Sequence, residues 1–76
     1  MSSAASKSAQ LTSLGANVRR LRIKGKFTQE RLAELVGLNP RTIQKIEAGK
    51  LDILCTTLIR LQFALKCEWA ELMEEI

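Results

Sequence analysis

TQERLAELVGLNPRTIQKIE, residues 28–47, holds two short amphipathic segments hinged on a single glycine. Thr28 is of the type that caps a helix N-terminus, and Glu30 follows in the first turn, where a carboxylate suits the helix dipole. Leu32, Ala33, Leu35 and Val36 form the apolar side of this segment. Gly37 stands where the chain must reverse through a positive φ. Asn39 then caps a second segment, and Pro40 takes its first position, where the missing N–H does no harm. Ile43 and Ile46 anchor the second segment, and Ala48-Gly49 closes it. Ala33 adds the small residue needed where the two helices cross.

Working outward, Leu11, Leu14, Val18 and Leu21 recur at helical spacing and predict a first helix capped near Thr12 or Ser13. It ends around Lys24-Gly25-Lys26, with Gly25 as C-terminal cap and cations suited to the dipole. Residues 1–10 are Ser, Ala, Lys and Gln without apolar periodicity and read as a disordered tail, leaving residues 11–76 as the domain. Beyond the central pair, Leu58, Leu61 and Leu65 mark a fourth helix from about Cys55 to Leu65. Trp69, Leu72 and Met73 mark a short fifth. No strand alternation interrupts the series, so the expected fold is all-α, a compact bundle of five short helices.

A chain of 76 residues has room for one domain. At that size only about 60% of the unfolded surface is buried, so a partner subunit would add stability. Charge is unevenly distributed: residues 1–50 hold ten Lys/Arg against three Asp/Glu, residues 51–76 two against five. A polyanion met by the first part accounts for that asymmetry. Cys55 and Cys67 sit at apolar helical positions and read as free, core-type thiols. Zinc sites need about four nitrogen or sulfur ligands, and with no histidine in the chain no such set exists. The opening MSSAASKSAQLTS lacks the apolar centre of a signal peptide, and no apolar run reaches the roughly 18 residues of a membrane span. The expectation is a cytoplasmic protein with no cofactor, no metal, no membrane contact and no small-molecule substrate.

The paired segments have the spacing of a helix-turn-helix. Thr28-Gln29-Glu30-Arg31-Leu32-Ala33, Gly37-Leu38, Ile43 and Glu47-Ala48-Gly49 together resemble the Cro/C1-type (XRE) family of bacterial and phage regulators. Leu14-Gly15 and Val18-Arg19-Arg20-Leu21-Arg22 resemble that family's first helix; Thr57-Leu58, Ala64-Leu65 and Trp69-Ala70-Glu71-Leu72 resemble its last two. The resemblance covers about residues 14–73 and implies a lambda-repressor-like domain that regulates transcription by binding double-stranded DNA. Three positions depart from the family pattern: Gln44 where Ser is frequent, Gln62 where Ala is usual, and Leu54 where a Ser/Thr cap is usual.

Helical geometry sets Ile43, Ile46 and Glu47 on one side of the third helix and Arg41, Gln44, Lys45 and Ala48 on the other. Arg and Lys match the guanine N7/O6 acceptors and Gln matches adenine, so residues 40–48 are expected to be the recognition helix in the major groove, with Thr42 among its contacts. Gln29 starts the second helix, where free backbone N–H groups favour a phosphate; the resemblance implies that its side chain also holds the DNA backbone. Lys50, with Arg19 or Lys45, adds phosphate contacts. Glu47 borders the buried stripe, an expensive place for a lone carboxylate, and the resemblance implies an ion pair with Arg22; a phosphate contact for Arg22 is the alternative.

Ile59 and Phe63 lie outside the core face of helix four at i, i+4 spacing. With Trp69 or Met73 they form a candidate dimer surface; alternatively Phe63 is covered by the segment around Leu11. A homodimer on a palindromic operator is expected, because one helix reads too few base pairs for useful specificity. The competing class is a protein-interaction helix-turn-helix module, such as an antitoxin-like partner domain, against which Arg41 and Lys45 argue. An enzyme lacks any support: there is no histidine, no phosphate loop and no nucleophile–base set.

Overall fold

A computed structural model describes residues 6–76, which form five helices: α1 Lys7–Lys24, α2 Gln29–Val36, α3 Pro40–Glu47, α4 Cys55–Leu65 and α5 Trp69–Leu72. The first begins earlier than expected. Ser6 caps it by accepting from the Ala9 N–H at 3.1 Å, so residues 7–10 are helical rather than tail. Lys, Ala and Gln are good helix formers, so a capped extension needs no apolar stripe of its own. The rest of the expected tail, residues 1–5, lies outside the described residues.

α1 ends differently as well. Gly25 is right-handed at φ −81°, and the left-handed residue is Lys26 at φ 63°. The Lys26 and Phe27 N–H groups return to the carbonyls of Ile23 and Arg22, a Schellman closure around Lys26. Gly25 answers a question of space instead: a Cβ there would lie 2.9 Å from the Phe27 ring. A left-handed lysine costs about 1 kcal/mol relative to glycine. Lys26→Gly is therefore expected to raise stability by up to about that amount, read as a higher urea midpoint at unchanged m-value.

α2 and α3 follow the sequence reading closely. Thr28 accepts from the Arg31 N–H at 3.0 Å, Gly37 is left-handed at φ 74°, and Asn39 accepts from the Arg41 N–H at 2.8 Å. α3 closes on a second Schellman motif, with Gly49 at φ 71° and the Lys50 N–H bonded to the Lys45 carbonyl at 2.9 Å. α3 packs on both α1 and α2, and Ile43 and Ile46 are buried between them.

The core gathers Val18 and Leu21 of α1, Leu32, Ala33 and Val36 of α2, Ile43 and Ile46 of α3, Leu61 and Leu65 of α4, and Leu72 of α5. Each large side chain so buried stabilises the fold by roughly 1.5–3 kcal/mol. Two apolar expectations fail. Leu35 is exposed, because α2 has eight residues and its core stripe is filled by Leu32, Ala33 and Val36. Cys55 is exposed at the first position of α4, whereas Cys67 is buried in the α4–α5 turn, where desolvation and the nearby Glu71 push its thiol pKa up. Leu58, on the expected α4 stripe, is half-buried and packs against the core. Phe63 is 81% exposed, so the segment around Leu11 does not cover it.

A polar latch fixes α5. Asn17 is buried on α1 and donates through Nδ2 to the carbonyls of Leu72 and Glu74, both at 2.8 Å. Its Oδ1 accepts from Arg20, which also reaches the Glu71 carbonyl at 3.2 Å. All of the amide's capacity toward α5 is thereby used, and no buried polar side-chain atom among the described residues lacks a partner.

Candidate nucleic-acid interface

The connection between α2 and α3 sets the interface. Left-handed Gly37 lets the Leu38 N–H return to the Ala33 carbonyl at 2.8 Å, after which Asn39 and Pro40 restart the chain as helix. With Ile43 and Ile46 drawn into the core, Arg41, Gln44 and Lys45 are left in solvent, and Thr42 is half-buried beside them. Arg41, Gln44 and Lys45 form no side-chain hydrogen bond or ion pair among the described residues, which leaves their donors open. Lys50 is exposed just past the α3 cap, and Arg19 is exposed on α1.

Behind this surface sits a charged knot. Arg22 grips Glu47 in a bidentate pair, Nε to Oε2 at 2.6 Å and Nη2 to Oε1 at 3.1 Å, with side-chain exposures of 12% and 5%. Arg22 Nη1 also donates to the Phe27 carbonyl at 2.9 Å, tying the α1–α2 turn to the same guanidinium. The planar fork matches a carboxylate in a way a lysine could not.

Gln29 joins the knot, a link that was not legible in the sequence. Its Nε2 donates to Glu47 Oε1 at 3.0 Å. Because a carboxylate only accepts, the amide must turn its nitrogen toward Glu47, and one of its two hydrogens remains free. Gln29 is thus anchored at the first position of α2 instead of swinging free there. Asn17 was also missed, although a signal existed: it lies at i+3 from Leu14 and beside Val18, a polar residue within an apolar stripe.

Ile59, Phe63 and Trp69 are 49%, 81% and 42% exposed. Ile59 and Phe63 line one groove together with Leu35 and Phe27, while Trp69 lies on α5. Among the described residues no group of acids or thiols is placed to hold a metal ion, and no helix is long and apolar enough to cross a membrane.

A short helix held by its inner isoleucines against a second, with its outer donors unspent, is the working part of a helix-turn-helix DNA-binding domain. The helix-turn-helix family matches residues 18–72, and the chain belongs to it, as a regulator of the Cro/C1 (XRE) type. No curated protein matches in a direct sequence comparison. Among solved structures, the chain is similar to the restriction-modification controller protein C.AhdI from Aeromonas hydrophila, at 33% identity and a TM-score of 0.79, covering 84% of this chain and 97% of that one. It is also similar to the clp gene regulator ClgR from Corynebacterium glutamicum, at 25% identity and a TM-score of 0.81 over 84% and 82% of the two chains. The hypothetical transcription factor NHTF from Neisseria shares the fold at 20% identity and a TM-score of 0.79, over 96% of this chain and 84% of that one. The protein is a DNA-binding transcriptional regulator and not an enzyme.

Proposed function

We propose that the protein binds a palindromic operator as a homodimer, each subunit laying α3 in the major groove of one half-site. The observation that carries this reading is the outward row Arg41, Gln44 and Lys45 opposite buried Ile43 and Ile46. Two-fold symmetry would set the recognition helices about 34 Å apart, one turn of the duplex. Arg41, in the first turn of α3, is the guanine reader; Thr42, Gln44 and Lys45 complete the base-facing set; Gln29 and Lys50 hold phosphates. Ile59, Phe63 and Trp69 belong to the subunit contact. The more specific role is that of a restriction–modification controller, as C.AhdI is, supported by the shared identity over nearly all of that protein.

Binding isotherms on cognate and scrambled duplexes at several salt concentrations test the assignments. Arg41→Ala should lose about 1–3 kcal/mol on the cognate site and little on scrambled DNA. Lys50→Ala should weaken both and flatten the salt slope by about 0.9 per half-site. Gln29→Ala should also weaken both, because a phosphate contact carries no base identity, but a neutral amide leaves the slope unchanged. Since Gln29 also bonds Glu47, that variant should lose about 1 kcal/mol of stability, and its melting curve must be read beside its isotherm. Equal losses on both duplexes for Arg41→Ala would pass the reading role to Lys45 or Gln44.

A further inference from the structure

An apolar groove of about 520 Å³ lies between α2 and α4, floored by Phe27, Leu35, Ile59 and Phe63. Its rim is cationic, with Arg31, Arg60 and Lys66. Arg31 is paired with Glu34 at 2.6 Å, but Arg60 and Lys66 form no ion pair among the described residues. The end of the chain has the opposite character. Trp69, Met73 and Ile76 are 42%, 38% and 39% exposed, and Glu74 and Glu75 beside them form no ion pair among the described residues. An apolar groove with spare cations and an apolar knob with spare carboxylates therefore sit on the same chain.

The two do not meet within one molecule: none of Trp69, Met73 and Ile76 lines the groove. Asn17 and Arg20 hold the carbonyls of Leu72, Glu74 and Glu71 against α1, so the chain end is fixed away from its own groove. A second copy supplies the missing half. Lys66 on the groove rim and Trp69 at the start of the knob are three residues apart, so the rim and the knob's start lie within roughly 11 Å of each other and each copy carries both halves of a candidate patch. Such a patch is what a two-fold contact requires, with each copy giving and receiving the same surface.

We propose that the homodimer forms by reciprocal exchange, the Trp69–Ile76 end of each subunit seating in the α2/α4 groove of the other, with Glu74 and Glu75 facing the partner's Arg60 and Lys66. This rests on the dimer reading above and names its contact. Mixed burial and charge pairing make the interface both apolar at its centre and polar at its rim, as stable interfaces are.

Charge exchange tests it. One variant carries Arg60→Glu and Lys66→Glu, making the groove rim acidic; the other carries Glu74→Lys and Glu75→Lys, making the knob basic. Each alone sets like charges face to face and should weaken self-association at least tenfold by sedimentation, with an unchanged melting temperature at monomeric concentrations. Mixed together, both contacts of the heterodimer are complementary, one native and one reversed, and dimer mass should return. Phe63→Ala should weaken association without a charge change. If the unaltered protein is a dimer and both charge variants dimerise equally well, the seating is overturned while the dimer stands. An unaltered protein that stays monomeric at micromolar concentration and fills half-sites independently overturns the dimer reading itself.

Discussion

Gly15→Ala should destabilise this domain by about 3 kcal/mol or more, even though alanine is the better helix former. Gly15 lies mid-helix in α1 and is buried where α1 crosses the end of α3. A Cβ there would stand 2.8 Å from the Glu47 carbonyl oxygen and closer still to that of Ile46. Both obstacles are backbone atoms, so no side chain can rotate out of the way. Helix propensity favours the substitution by about 1 kcal/mol, while forced separation of the helices opposes it by more and also disturbs the Arg22–Glu47 pair that spans the same crossing. For a domain of this size each kilocalorie shifts the melting temperature by about 4–8 °C. The expected drop is therefore roughly 10 °C or more, measured by thermal circular dichroism. An unchanged or raised melting temperature would show that α1 and α3 have room to move apart. Gly25→Ala is the natural comparison: its obstacle is the edge of the Phe27 ring, a movable side chain, and its loss should be smaller.

Arg22→Ala and Glu47→Ala should each cost about 3–5 kcal/mol, since either leaves a nearly buried charge without its partner. With Glu47 alone, only the neutral Gln29 amide remains to meet the carboxylate. With Arg22 alone, one hydrogen bond to the Phe27 carbonyl survives. A double substitution to leucine removes both charges and should recover most of the single loss, because a well-packed apolar pair is often no worse than a buried ion pair. Arg41→Ala, on the exposed side of α3, should melt like the unaltered protein. Arg22→Ala melting equally unchanged would mean that the pair contributes little and would return Arg22 to the alternative of a phosphate contact. The same experiment bears on the phosphate contact proposed for Gln29: Glu47→Ala removes the bond that orients its amide and should weaken DNA binding even at temperatures where the variant remains folded, whereas Arg22→Ala leaves that bond in place.

How far the chain could be read without its structure depended on whether the deciding interactions were local. Thr28, Gly37, Asn39 and Pro40 act within one helical turn of themselves, through caps and a left-handed reversal, and the residue types alone dictate α2 and α3. The outward set Arg41, Gln44 and Lys45 followed from helical geometry once Ile43 and Ile46 were assigned inward. Boundaries were less legible, because Ser6 can extend α1 without an apolar stripe and because Lys26 takes a conformation its side chain disfavours. Contacts between helices were legible only in part. Gly15 as a crossing point, Asn17 as the latch on α5, and Gln29 as a third partner of Glu47 each require knowing which backbone atoms lie opposite, and that is set by packing over 18 to 57 residues of separation. Leu35 and Phe63 likewise belong to apolar patterns on paper, yet α2 is too short and α4 too sparsely covered to bury them. Local capping and periodicity thus determined the helices and the solvent-facing row of α3 from sequence, while the tertiary structure alone decided which polar groups knit them together and which apolar side chains were left at the surface.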